Sequence, residues 1–167
     1  AVHLPLGDLD GDGLPALVSH PFEGTPPMLE PAPPVMTWRV LMNRPSASGG
    51  RAFVDATIDS GYGGARDGSP NRAANFAVAG DFDNDGDLDL FSGLSFDADF
   101  GDRNDVALND GAARFTLAPA SDLSGGSAPW HTTAAAALDY DRDGRLDVYV
   151  GFWYQTYPPS LPYVAGQ

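Results

Sequence analysis

The chain of 167 residues carries 9 basic and 23 acidic side chains, a formal net charge of −14, and 21 of the acids are Asp. Such a balance offers no basic stripe to phosphates, which sets nucleic acid aside as a partner, and the absence of Cys excludes disulfides, thiolate metal sites and a cysteine nucleophile. The longest run free of polar and charged residues, 148–154, is far short of the roughly 20 residues that cross a bilayer, while 43% apolar residues, 20 Gly, 15 Pro, two Glu and no Lys favour a folded core made of strands and turns.

The chain opens on Ala1 without a basic, apolar leader, which reads as a processed or trimmed product. The first punctuated stretch is LGDLDGDGLPALVS, from Leu6. Residues 21–34 then hold six prolines, which suits a stiff, extended rim loop. From Val40, VLMNRPSASGGRAFVDAT reads as strand, turn, strand. The pattern restarts with AGDFDNDGDLDLFSG from Ala79, followed by a second strand, turn and strand in VALNDGAARFTLAPA from Val106. It begins a third time with ALDYDRDGRLDVYVG from Ala137. The first loop aspartates, Asp8, Asp81 and Asp139, are 73 and 58 residues apart.

The second copy predicts strands over 76–79, 88–92, 106–108 and 114–117, a four-stranded meander. Such units at a regular period are the signature of propeller blades, whose sheets must stack to bury both faces. The expected fold is all-β, with four-stranded antiparallel blades of a partial β-propeller and the acidic loops in the hairpins. Blade 1 falls at 1–60, with the proline-rich loop 21–34 inside it. Blade 2 falls at 71–122 and the start of blade 3 at 130–167, about 2.5 blades in one domain. Propellers close with about 4 to 8 blades, so the remaining blades of a longer chain, or other protein subunits, are expected to cover the ends.

Counted from its first aspartate, the second loop sets Asp81, Asp83, Asp85 and Asp89 at positions 1, 3, 5 and 9, with Gly86 at position 6. Calcium takes about 6–8 oxygens, each roughly 2.3–2.6 Å away, and alternate residues of a tightly turning backbone aim side chains inward. Gly at position 6 permits the sharp turn, and the next residue, Asp87, offers its main-chain carbonyl. The third loop repeats the set with Asp139, Asp141, Asp143, Gly144 and Asp147, and Arg145 gives the carbonyl. The first loop has Asp8, Asp10, Asp12 and Gly13, with Leu14 at position 7, but Ala16 at position 9 removes one ligand. Two Ca2+ are expected, at 81–89 and 139–147, with a weaker ion or none at 8–16.

An EF-hand shares this spacing. Its twelfth position is Glu, however, where this chain has Ser19, Ser92 and Val150, and its flanks are helical, where LDLFSG and LDVYVG are built of strand formers. The segments GDFDNDGDLDLFSG, LDYDRDGRLDVYVG and NRPSASGGRAFVDATIDSGY resemble the FG-GAP/VCBS repeats, the calcium-loop blades of integrin α-type propellers. More narrowly they resemble bacterial repeats related to cartilage acidic protein, often found with ASPIC/UnbV domains. The resemblance covers most of the chain, with departures at Ala16, in the long proline loop and in the lack of literal FG and GAP pairs. It implies ions that brace hairpins rather than catalyse.

Other candidate sites carry less. DADFGDRND, residues 97–105, holds four Asp and reads as a solvated loop or a further cation site. His3, His20 and His131 lie far apart and read as satisfied or exposed histidines, and no nucleophile elbow or phosphate loop is present. Phe152, Trp153, Tyr154 and Tyr157 read as packing between blades, or as a platform for sugar or protein. The expected function is a noncatalytic, calcium-stabilised propeller segment for protein interaction or adhesion, or an accessory subunit, in an extracellular, periplasmic or cell-surface setting where calcium is high. The alternative is a carbohydrate-binding or polysaccharide-degrading propeller.

Overall fold

The computed structural model describes residues 2–3, 5–21, 38–66, 68, 74–94, 104–119 and 131–153. Every regular element among them is a strand. The proline-rich stretch after Pro21, residues 95–103 and the residues after Trp153, including Tyr154 and Tyr157, lie outside the described part, as do the side chains of His3, His131, Phe152 and Trp153.

Strands β1 (Val2–His3), β2 (Leu6–Gly7), β3 (Ala16–Pro21), β4 (Arg39–Pro45) and β5 (Arg51–Asp55) make the first sheet. In it β3 pairs with β1, β2 and β4, and β4 pairs with β5, all antiparallel. Strands β6 (Ala74–Gly80), β7 (Asp89–Leu94), β8 (Asp105–Asn109) and β9 (Phe115–Leu117) form a second sheet in sequential order. Strands β10 (His131–Leu138) and β11 (Asp147–Trp153) form a third, two-stranded hairpin. The four strands expected for the second repeat are thus present within a residue or two of their predicted bounds, as an antiparallel meander. Each acidic loop joins two consecutive strands that pair antiparallel: β2 to β3, β6 to β7 and β10 to β11.

The side-chain alternation of the second sheet explains how the three sheets stack. Ala77 on β6, Leu90 on β7, and Ala107 on β8 face the first sheet, where they meet Leu9, Ala16, Val18, Val40 and Met42. Phe76 and Val78, Phe91, and Val106 and Leu108 point the other way, toward Ala135, Val148 and Val150 of the third hairpin. Neighbours on one strand therefore enter different cores, and Leu90 and Phe91 are both 0% exposed. Burying each contributes about 1.5–3 kcal/mol.

Between the first two sheets Tyr62 acts as an aromatic wedge. Its ring meets His20, Trp38 and Phe115 edge-on at centroid distances of 5.8, 5.4 and 5.7 Å, and its hydroxyl lies 3.1 Å from His20 Nε2. The wedge is seated by a backbone bond from the Phe115 N–H to the Ser60 carbonyl at 2.7 Å. At the end of β5 the Thr57 N–H donates to Asp55 at 2.9 Å, and the hydroxyl of Thr57 accepts from the Val40 N–H at 3.1 Å. The Thr57 donors, with Arg39 beside them, hold the Asp55 carboxyl below its ordinary range.

One packing device recurs at both seams. The residue before the first loop aspartate is Gly7 in the first sheet and Gly80 in the second. A Cβ at Gly7 would lie 2.8 Å from Leu88 Cδ1, and one at Gly80 would lie 2.8 Å from Leu146 Cδ1. Leu88 and Leu146 both occupy the eighth loop position of the following sheet, so each seam presses a leucine into a glycine of the sheet before it. Gly80→Leu is expected to cost roughly 1–3 kcal/mol by overpacking, measured by urea unfolding, and Leu146→Ala in the same chain should recover part of the loss. An unchanged midpoint for Gly80→Leu contradicts this seam.

Candidate metal centre

The three acidic loops fold by one local scheme, set by their own side chains. The carboxylate of the first aspartate accepts from the N–H groups of positions 5 and 6. Asp8 takes those of Asp12 and Gly13 at 3.1 and 2.8 Å, Asp81 those of Asp85 and Gly86 at 3.1 Å each, and Asp139 those of Asp143 and Gly144 at 3.1 Å each. The fifth aspartate then accepts from the seventh N–H: Asp12 from Leu14, Asp85 from Asp87, and Asp143 from Arg145, all at 2.9 Å. The position-6 glycines sit in the left-handed region, at φ 79° for Gly13, 97° for Gly86 and 85° for Gly144. Position 4 is left-handed as well, at Gly11, Asn84 and Arg142. That constraint escapes a reading of aspartate spacing, and at Arg142 it costs on the order of 1 kcal/mol.

This backbone gathers the carboxylates. One oxygen from each of Asp8, Asp10 and Asp12, of Asp81, Asp83 and Asp85, and of Asp139, Asp141 and Asp147 lies within 4.8 Å of the others in its group. Oxygens on one calcium, each roughly 2.3–2.6 Å from it, stand within about 5 Å of one another. The donor set, all hard oxygen, also suits calcium. Loss of surrounding water, then the charges of Asp85 and Asp81, push the Asp83 carboxyl above its ordinary range. A divalent cation reverses that balance.

The ninth position behaves differently in the three loops. Asp89 is fully buried and accepts from the Phe82 and Asn109 N–H groups, each at 2.8 Å. Burial raises its carboxyl; the Asn109 and Phe82 N–H groups oppose the shift, and Asp83 and Asp85 add to it. Asp147 likewise accepts from the Tyr140 N–H at 2.9 Å while joining Asp139 and Asp141 in their cluster. The ninth aspartate thus closes the base of its loop. Ala16 cannot do so.

At the first loop the charge is met from elsewhere in the sheet. Arg44 donates to Asp10 Oδ2, and its Nη1 lies 3.5 Å from Asp12 Oδ2. Arg51 Nη2 stands 3.6 Å from the same Asp12 oxygen, and Arg51 itself is held by Asn43 through bonds to Oδ1 and the carbonyl at 2.9 and 2.7 Å. The loops also touch their neighbours. Asn109 Nδ2 and the Ala113 N–H donate to the Leu9 carbonyl at 2.8 and 3.0 Å, and Asn84 Nδ2 donates to the Gly144 carbonyl at 3.2 Å.

Two other candidates are placed by the structure, Asp105 against the reading of the sequence and His20 in keeping with it as a satisfied histidine. Asp105, the last residue of the 97–105 stretch, is neither solvated nor placed for a cation: it is fully buried and gripped by Arg66 through both carboxylate oxygens. Arg66 also donates to the Ala118 carbonyl at 3.0 Å. His20 is buried against Tyr62 as a packing residue. A cleft of about 370 Å³ runs beside Tyr62, Phe115 and Leu117, and Arg66 is the one charged side chain among the residues lining it.

Residues 81–150 match the family model of the FG-GAP-like repeat. The matched span runs from the first aspartate of the second loop through Val150 of β11, and so contains the second and third acidic loops whole. Families built on this repeat are generally noncatalytic. Neither the curated proteins nor the solved structures yield a match.

Asp89→Ala leaves the Phe82 and Asn109 N–H groups without their acceptor inside the fold. It is expected to cost about 3 kcal/mol in urea unfolding, with calcium or with chelator, because those bonds do not need an ion. A loss that appears only in calcium would show that Asp89 acts through the metal alone.

Proposed function

We propose that the chain is a calcium-braced β-propeller segment that serves as a noncatalytic protein-interaction or adhesion module, or as an accessory subunit of an extracytoplasmic assembly. The observation that carries this reading is the pair of carboxylate clusters at Asp81 and Asp139, built on one backbone scheme and set in neighbouring hairpins whose sheets pack face to face. Asp81, Asp83, Asp85 and the Asp87 carbonyl would hold one ion, with Asp89 at the base of the loop. Asp139, Asp141, Asp143, Asp147 and the Arg145 carbonyl would hold the other. The bound ion supplies positive charge that cancels the repulsion within each cluster.

Calcium sites of extracellular modules are filled only at high free calcium, which favours an extracellular, periplasmic or cell-surface setting. The outer faces also favour a partner. Leu6 and Phe53 of the first sheet, Ile58 in the turn after β5, and Tyr140 and Tyr149 of the third hairpin are exposed. Further blades or other protein subunits would cover them. Tyr149, 75% exposed on β11, also favours a second reading as a sugar-stacking surface; binding on a glycan array that disappears in Tyr149→Ala supports it.

With calcium tenfold above the dissociation constant, each site adds about 1.4 kcal/mol. Two sites raise the melting temperature of a chain this size by roughly 6–11 °C. Excess chelator is expected to remove that gain, and Asp83→Asn and Asp141→Asn are each expected to remove about half of it. A melting temperature indifferent to chelator overturns the proposal.

A further inference from the structure

We infer that Arg44 closes the first acidic loop in place of a metal ion, so that the chain takes two calcium ions rather than three and only one of its two seams depends on calcium. This rests on the proposed function for loops 81–89 and 139–147, and it separates loop 8–16 from them. Arg44 sits on Asp10 Oδ2 and faces Asp12, while Arg51, anchored by Asn43, approaches Asp12 from the same side. An ion bound to those oxygens would bring two cationic centres together on one carboxylate. The ninth position adds no compensating charge, because it is Ala16 where the other loops have Asp89 and Asp147.

The strand register shows why the first sheet differs. Asn43 pairs with Phe53 on β4 and β5, and Asn109 pairs with Phe115 on β8 and β9, so the two asparagines occupy one structural position. The next residue is Arg44 in the first sheet and Asp110 in the second. Asp110 turns its carboxylate to the Ala112 and Arg114 N–H groups at 2.9 and 3.3 Å, capping the turn between β8 and β9. Among the described residues no guanidinium forms an ion pair with the second or third loop.

The consequence reaches the seams. The Leu9 carbonyl, at the second position of the first loop, is the acceptor that ties this loop to Asn109 and Ala113 of the second sheet. Its geometry is secured by arginine. The contact from Asn84 to Gly144 joins two loops that both wait on calcium. Calcium depletion should therefore loosen the third hairpin from the second sheet and leave the first and second sheets joined.

Calcium stoichiometry by native mass spectrometry and hydrogen exchange of the whole chain, in calcium and in chelator, test this together. Expected are two ions, unchanged protection over 6–16 in chelator, and a fall of about tenfold or more over 81–89 and 139–147. Three ions, or a matching loss over 6–16, overturn the inference and leave the proposed function standing. No bound ion overturns both. Arg44→Gln should lower protection over 8–14 equally in calcium and chelator, and unchanged protection there also overturns the arginine closure. The wild-type measurements stand should that variant fail to fold.

Discussion

The structure turns on the repulsion among carboxylates that a short loop holds a few ångströms apart. Three of them within 4.8 Å strain against one another in each of three loops, and the chain still folds because every loop first spends its aspartates on its own backbone. The carboxylate of position 1 takes two N–H groups and that of position 5 takes one. These bonds fix the shape but leave most of the negative charge in place. Something positive must finish the work: in the first loop Arg44 stands on Asp10, and among the described residues no guanidinium pairs with the second or third loop.

The sheets are organised around the same loops. Each seam seats the leucine at position eight of one loop on the glycine before the first aspartate of the preceding loop, Leu88 on Gly7 and Leu146 on Gly80. The second sheet buries both faces, so Leu90 and Phe91, adjacent on β7, belong to opposite cores and each seam keeps its own packing.

Much of this is legible in the amino-acid sequence alone. Aspartate at alternate positions with glycine at the sixth, flanked by strand formers, specifies a hairpin with an acidic turn, and the four strands of the second repeat follow from that placement and from the turn at Asn109. These are local signals. What escaped is long-range. Arg44 lies 34 residues from Asp10, and Arg66 lies 39 from Asp105. Neither pair shares a period or a motif, and each exists only because the strand register brings it together. The ninth aspartate was visible as an acid, but its orientation toward the Phe82 and Asn109 N–H groups depends on β8 lying alongside, which spacing cannot express. The left-handed backbone at Arg142 was hidden because arginine carries no bias toward that conformation, whereas Gly11 and Asn84 at the same loop position do.

Arginine and calcium are not equivalent answers to the same repulsion. A guanidinium on a neighbouring strand is covalently tethered and present at every calcium concentration, so it sets the loop at folding and never releases it. An ion is exchanged with the medium, and its contribution grows with the logarithm of its concentration above the dissociation constant. Either would suit a loop whose backbone is already held by aspartate and glycine, since only the last charge is then left to supply. On the proposed reading, a repeat built this way would change the calcium dependence of one seam through a single strand residue, such as Arg44 against Asp110, without altering strand order, register or core. Dependence on calcium would then be a property of individual seams rather than of the fold.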